Sequence, residues 1–171
     1  MIGMSRFLKT AAAAAILMAI APGAQAQGTS LTREQAMAAL QASLEYAKRD
    51  QSDISMVVVD RDGQPVLYAR GNLAAPHNIG LARRKAFTAN KFKMPSLEFE
   101  TKSQTDPELG AQREVGDVIP LGGGVPIMVG NEVIGAVGVS GTKGGQPGDD
   151  ACARAGAEAA AAMVKRLQAQ N

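Results

Sequence analysis

Two hairpin signatures constrain this fold more than any other feature. Ile54 to Asp60 is a valine-rich run between polar flanks, and Asp62-Gly63 follows it as a tight turn signal. Pro65 to Arg70 then reads as the partner strand, because proline can begin a strand but cannot sit in its middle. The second signature is Val125 to Val129, the turn Gly130-Asn131, and Glu132 to Ser140. The last of these is apolar along much of its length, which places it centrally in a sheet. Helical patterns fill the remainder. Thr32 and Gln35 form a capping box that opens a helix to about Arg49, with Leu31 placed to staple its start. Its apolar stripe is Ala36, Met37, Leu40, Leu44 and Ala47. Asn78 is placed as the N-cap of a second helix over Ile79 to Phe92, with the stripe Ile79, Ala82, Ala86 and Ala89. Asp149 or Asp150 caps a final helix to about Gln168, whose shared face is Cys152, Ala155, Ala159, Met163 and Leu167. Met94 to Leu121 carries Pro95, Pro107 and Pro120 and reads as irregular, with one short helix around Glu108 to Val115. The order α, β-β, α, loop, β-β, α predicts an α+β domain with an antiparallel sheet flanked by helices.

The N-terminus reads separately. Arg6 and Lys9 precede the apolar run Ala11 to Ala21, then Pro22-Gly23 and the Ala24-Gln25-Ala26 cleavage pattern. Residues 1–26 are therefore expected to be a secretory signal peptide, with 27–171 as one domain of the periplasm or exterior. The apolar run is shorter than the roughly 20 residues that span a bilayer, so no stable membrane insertion is expected after cleavage. The chain has 18 Lys+Arg and 16 Asp+Glu, and the signal holds two of the bases and no acid. The remaining domain is thus near neutral, which argues against nucleic acid as a partner. One cysteine, Cys152, excludes an internal disulfide, and one histidine, His77, excludes a multi-histidine metal site. No G-x-S-x-G elbow and no P-loop pattern is present, so the residues supply no paired nucleophile and base.

Four motifs, and the start of the last helix, are similar to those of one family. Val57-Val58-Val59-Asp60-Arg61-Asp62-Gly63 resembles the first hairpin of the GlcG/HbpS family of haem-binding and haem-degrading proteins. Ala82-Arg83-Arg84-Lys85-Ala86-Phe87-Thr88-Ala89 fits that family's A-x-x-K-A-x-T-A helix. Gly123-Gly124-Val125-Pro126-Ile127 resembles its G-G-x-P-[IL] segment, and Ile134 to Gly141 its I-G-A-[IV]-G-V-S-G strand. Asp149, Cys152 and Ala153 are similar to the start of its last helix. The resemblance covers about residues 31 to 167. It implies a profilin-like fold with a five-stranded antiparallel sheet, homo-oligomers from dimer to octamer, and haem as the cofactor. The related C-terminal domain of PduO-type corrinoid adenosyltransferases also binds haem. His77 and Asn78 depart from the family, which commonly has a small residue and Ser there.

The candidate haem-binding residues are His77, Arg84, Lys85, Thr88, Gly123 and Gly124, with His77 as the iron ligand. Imidazole is a common axial ligand of haem iron. The basic turn Arg83-Arg84-Lys85 offers partners for propionates, and arginine can pair bidentately. Lys85 and Thr88, three apart, share a helix face. The plainer readings are an exposed loop histidine, Lys85 paired with an acid such as Asp60, Thr88 bonded to its own helix, and glycines that serve a sharp turn into a strand. Met56, Met94 and Met128 are thioether candidates that more often fill cores. Glu98, Glu100, Asp106 and Glu108 read as a solvated acidic loop. The function expected is sequestration, transfer or slow degradation of haem. The alternative is a sensory or binding module for a small organic acid, its basic turn taking the carboxylate.

Overall fold

The computed structural model describes residues 30–170; the proposed signal peptide lies outside them. Four strands form one antiparallel sheet: β1 (Ser55–Asp60), β2 (Pro65–Arg70), β3 (Gly124–Val129) and β4 (Glu132–Ser140), in the order β2-β1-β4-β3. Both hairpins form as the turn signals require. Gly63 and Gly130 take positive φ, +78° and +61°, which glycine adopts without steric cost. The Asp60 carboxylate accepts from Asp62 N at 3.0 Å and Gln64 N at 2.8 Å, fixing the first turn.

Among the described residues five α-helices occur: α1 (Arg33–Ala47), α2 (Asn78–Phe92), α3 (Ser96–Thr105), α4 (Pro107–Ala111) and α5 (Gly145–Gln168); α1, α2 and α5 pack on the sheet, and α4 packs on α3. The α1 capping box is present, with Thr32 N donating to Gln35 Oε1 at 2.8 Å and Gln35 N to Thr32 Oγ1 at 3.3 Å. Alternating side chains of β1 serve two cores. Met56 and Val58 join Val137, Val139 and Ile127 against Ala36 and Ala39 of α1 and Cys152, Ala153, Ala157 and Ala160 of α5. Val57 and Val59 join Ala136 against Ala82, Ala86 and Ala89 of α2. Met56 to Val59 are each 0% exposed, and such side chains contribute about 1.5–3 kcal/mol apiece. Helices on both faces explain why β1 lacks the polar alternation of a one-sided sheet.

Five expectations need correction. The sheet has four strands, not five, because the remaining long segment, 94–121, is mostly helical. The expected short helix around Glu108 to Val115 forms as α4 and a 3-10 turn, Gln112–Glu114, but the rest of the segment is less irregular than prolines as helix breakers imply. Two of the three prolines sit instead at helix starts: Pro95 precedes α3, and Pro107 opens α4, where a missing N–H costs nothing; Pro120 lies in the extended stretch before β3. Asp106 caps α4, accepting from Glu108 N at 2.9 Å and Leu109 N at 3.2 Å. The final helix begins at Gly145, so Asp149 and Asp150 lie inside it rather than at its cap. Likewise Asn78 is the first residue of α2; His77 holds the cap position and makes no side-chain cap bond. The buried helix faces also differ from the expected stripes. In α5 the buried set is Asp149, Asp150, Cys152, Ala153, Gly156, Ala157, Ala160 and Val164, and in α1 Met37 and Leu44 are exposed. Small residues let α1 and α5 approach closely; a Cβ on Gly156 would stand 2.9 Å from Ala39 O. The larger side chains are turned outward.

Candidate functional site

Five of the six candidate residues converge where α2 crosses the start of β3, and what they build there is a buried lock. The seat for α2 is a patch without side chains. Gly124 and Gly138 are paired in register, and a Cβ on either would fall about 2 Å from a carbonyl of α2, Lys85 O or Ala82 O. The Lys85 ammonium turns inward and donates to Asp149 Oδ2 at 2.7 Å and to Val139 O at 3.1 Å. Both side chains are almost fully buried, 3% and 7% exposed. Asp149 Oδ1 accepts from Thr142 N at 2.9 Å and Thr142 Oγ1 at 2.8 Å. The carboxylate is thereby satisfied on both oxygens, the condition for a buried ion pair to be tolerated. Lys85 therefore pairs with Asp149 of α5, not with Asp60.

Gly123 closes the lock. Its φ is +118°, and a Cβ there would meet Asp149 Cβ at 2.7 Å and Lys85 Nζ at 3.0 Å. Thr88 Oγ1 donates to Arg84 O at 2.8 Å and accepts from Ile119 N at 2.9 Å. Arg84 Nη2 donates to Val118 O at 2.7 Å. Both side chains thus pin the segment before β3 onto α2. Arg83 pairs with Asp117 through both carboxylate oxygens, one bond measuring 3.1 Å. Those hydrogen bonds, aided by the charges of Arg83 and Arg84, hold the Asp117 carboxyl below the usual carboxylate range.

His77 stands apart from this lock, at the N-terminal end of α2. It is exposed, as are Gly80 one turn on and Leu73 in the preceding loop, which is 89% exposed. Nothing lies within 4 Å of a Cβ placed on Gly80. Tyr68 of β2, 54% exposed, is near enough to Arg83 that the two interact electrostatically. The start of α2 therefore carries an accessible imidazole, with the Arg83–Asp117 pair further along the helix and the exposed Tyr68 ring on the same side of the sheet.

Clefts lie elsewhere, two of which bear on the candidate residues. One, about 340 Å³, runs between β3 and α5 with Val125, Pro126, Met128 and Ala161 in its walls. The other, about 450 Å³, is bounded by Arg61, Asn90, Lys93, Asn131, Glu132 and Val133. None of the six candidate residues lines either. Met56 is core filler at 0% exposure. Glu98 pairs with Lys102 at 2.6 Å within α3, and no group of three or more His, Cys, Asp or Glu suited to a metal occurs among the described residues. No described helix is long and apolar enough to cross a membrane. The second cleft escaped the sequence reading because Arg61, Asn90 and Glu132 are far apart in the chain and match no spacing rule.

Comparison with known proteins gives a consistent result. The model of the haem-degrading HbpS-like proteins matches residues 31–158. A crystal structure of an HbpS double mutant from Streptomyces reticuli is 32% identical, covers 88% of this chain and 97% of its own, and superposes with a TM-score of 0.71. The ORFY protein of Klebsiella pneumoniae is 28% identical over 80% of this chain and 94% of its own, with a TM-score of 0.72. A PduOC–haem complex is 26% identical over 77% of this chain and 95% of its own, with a TM-score of 0.67. No curated protein sequence matches the chain.

Proposed function

The chain belongs to the family of haem-degrading HbpS-like proteins, and from that premise we propose that it binds haem on the outer face of α2. The observation that carries the proposal is the exposed imidazole of His77, the sole histidine of the sequence, with the open surface at Gly80 one turn on and the exposed Tyr68 ring on the same side of the sheet. These residues suit haem: an imidazole for the iron and an exposed aromatic ring for the macrocycle. Haem supplies a redox-active iron when bound. The protein's own part is to hold the macrocycle and exclude water from one of its faces. Arg84, Lys85, Thr88, Gly123 and Gly124 support this surface from beneath, holding α2 in place. The fold is compatible with the profilin-like class, which presents such helices on a sheet.

Export to the periplasm or exterior, and assembly into homo-oligomers, belong to the same proposal. Sequestration or transfer suits an exposed site better than enclosed catalysis. Titration of the domain with haemin, followed at the Soret band, tests it. A saturable shift is expected, with a displaced band maximum and weaker binding in His77→Ala. Absence of any saturable shift in the wild-type protein overturns the haem reading. A band unchanged by His77→Ala overturns the ligand assignment alone. A module for small organic acids is the other reading. It cannot draw on the basic turn for a free cation, since Arg83, Arg84 and Lys85 each have an internal partner.

A further inference from the structure

We propose that the recess between the two hairpin ends and the C-terminal end of α2 binds a small oxyanion, a carboxylate or a phosphate, through Arg61 and Lys93. The inference is independent of haem. Arg61 follows β1, and one corner of its guanidinium, Nη1, bonds Glu132 Oε1 at 2.5 Å. Its other edge is unused. Nε and Nη2 are shielded from solvent and have no hydrogen-bond partner, although the side chain as a whole is 32% exposed. A shielded donor without a partner is costly, so such a pair calls for a physical account. Nε and Nη2 lie side by side on one edge of a planar group, which matches two oxygens of a carboxylate or phosphate.

The surroundings supply the rest. Asn90 is anchored by donating from Nδ2 to Arg61 O at 3.0 Å, and its Oδ1 has no partner. A protonated oxygen of phosphate can donate to that atom. Lys93 lines the same recess of about 450 Å³ and, at φ +55°, ends α2 in the left-handed conformation. The hydrogen bond and charge of Arg61, with a smaller contribution from Lys93, hold Glu132 below the usual carboxylate range. Two cations thus flank the same carboxylate at the recess. Glu132 and the carbonyl end of α2 both oppose an anion, so binding should be weak and sensitive to salt. A small ligand fits, and a helix or strand does not.

The test is titration of the full domain with inorganic phosphate and with acetate, against chloride at equal ionic strength, read by amide chemical shifts. Saturable shifts at Arg61, Asn90 and Lys93 are expected with phosphate or acetate, but not with chloride. Arg61→Gln should weaken binding about ten-fold or more, the loss of two charge-assisted hydrogen bonds. Glu132→Gln should strengthen it about three-fold by freeing Nη1. Lys93→Gln, at an exposed position, should weaken it several-fold and serves where Arg61→Gln disturbs the hairpin. Shifts that never saturate, that chloride reproduces, or that survive both Arg61→Gln and Lys93→Gln overturn the proposal.

Discussion

Replacing Lys85 by methionine probes the lock most directly. Methionine keeps most of the apolar stem and removes the ammonium, so Asp149 remains in the interior with its Oδ2 unpaired. The pair is 3% and 7% exposed, which puts it in the buried class rather than among surface pairs worth at most about 1 kcal/mol. Breaking a buried pair by removing one partner typically costs about 3–5 kcal/mol, because the remaining charge is uncompensated. Val139 O also loses its bond from Lys85, which adds to the cost. In urea, a slope of about 2 kcal/mol/M is reasonable for a domain of this size, so the midpoint should fall by about 2 M. The assay is equilibrium unfolding followed by circular dichroism at one fixed protein concentration, since assembly would couple to stability. The double variant Lys85→Met/Asp149→Asn removes both charges and keeps an acceptor for the two Thr142 donors. It should recover at least half of the loss. A midpoint shift below about 0.5 M, or a double variant that is simply the sum of the two single ones, would refute the claim that this pair is coupled and buried.

Two further outcomes follow from the packing. Gly138→Ala places a Cβ 1.9 Å from Ala82 O, so α2 must lift from the sheet; destabilisation of about 2–3 kcal/mol is expected by thermal unfolding, and a neutral result would contradict the close seat of α2. Burial, then the charge of Asp149, pushes the Cys152 thiol up to about 12. The folded value is raised, so the neutral thiol's contribution is fully present below the ordinary thiol range and is lost as pH climbs toward 12. A disulfide reagent at pH 8 should leave the native protein unmodified and label it fully in denaturant; rapid native labelling would show that the α1–α5 seam is open.

The residues of the lock show how far the sequence speaks. The A-x-x-K-A-x-T-A pattern marks Lys85 and Thr88 as a pair on one helix face, and both are buried on that face. The pattern does not reveal the partner. Asp149 is 64 positions away and was legible only as a helix cap, because short-range rules assign an aspartate before an alanine-rich run to that role. The same limit explains the helix faces. Spacing correctly picks out Ala36 and Ala47 of α1 and Cys152 of α5, which are buried, but it misses Ala39, Ser43 and Gly156, which complete the contact between the two helices. Ser43 and Cys152 exchange two bonds, Ser43 Oγ to Cys152 O at 3.1 Å and Cys152 Sγ to Ser43 O at 3.2 Å. Such small polar residues carry no hydropathy signal. The prolines of 94–121 misled for a related reason: a missing N–H forbids a helix interior but suits its first turn, and only the surrounding fold decides which applies.

By itself, the sequence determined what local physics can fix. The two hairpins follow from turn residues and alternating strands, the first helix from its capping box, and the family from four motifs in order. Only the tertiary structure decided which charges meet. It sent Lys85 inward to Asp149 and left an edge of the Arg61 guanidinium without a partner, though the two side chains look equally solvated as text. The reason is that an ion's state depends on burial and on neighbours within a few ångströms. In this chain those neighbours come from other elements of the fold, beyond the reach of any local pattern.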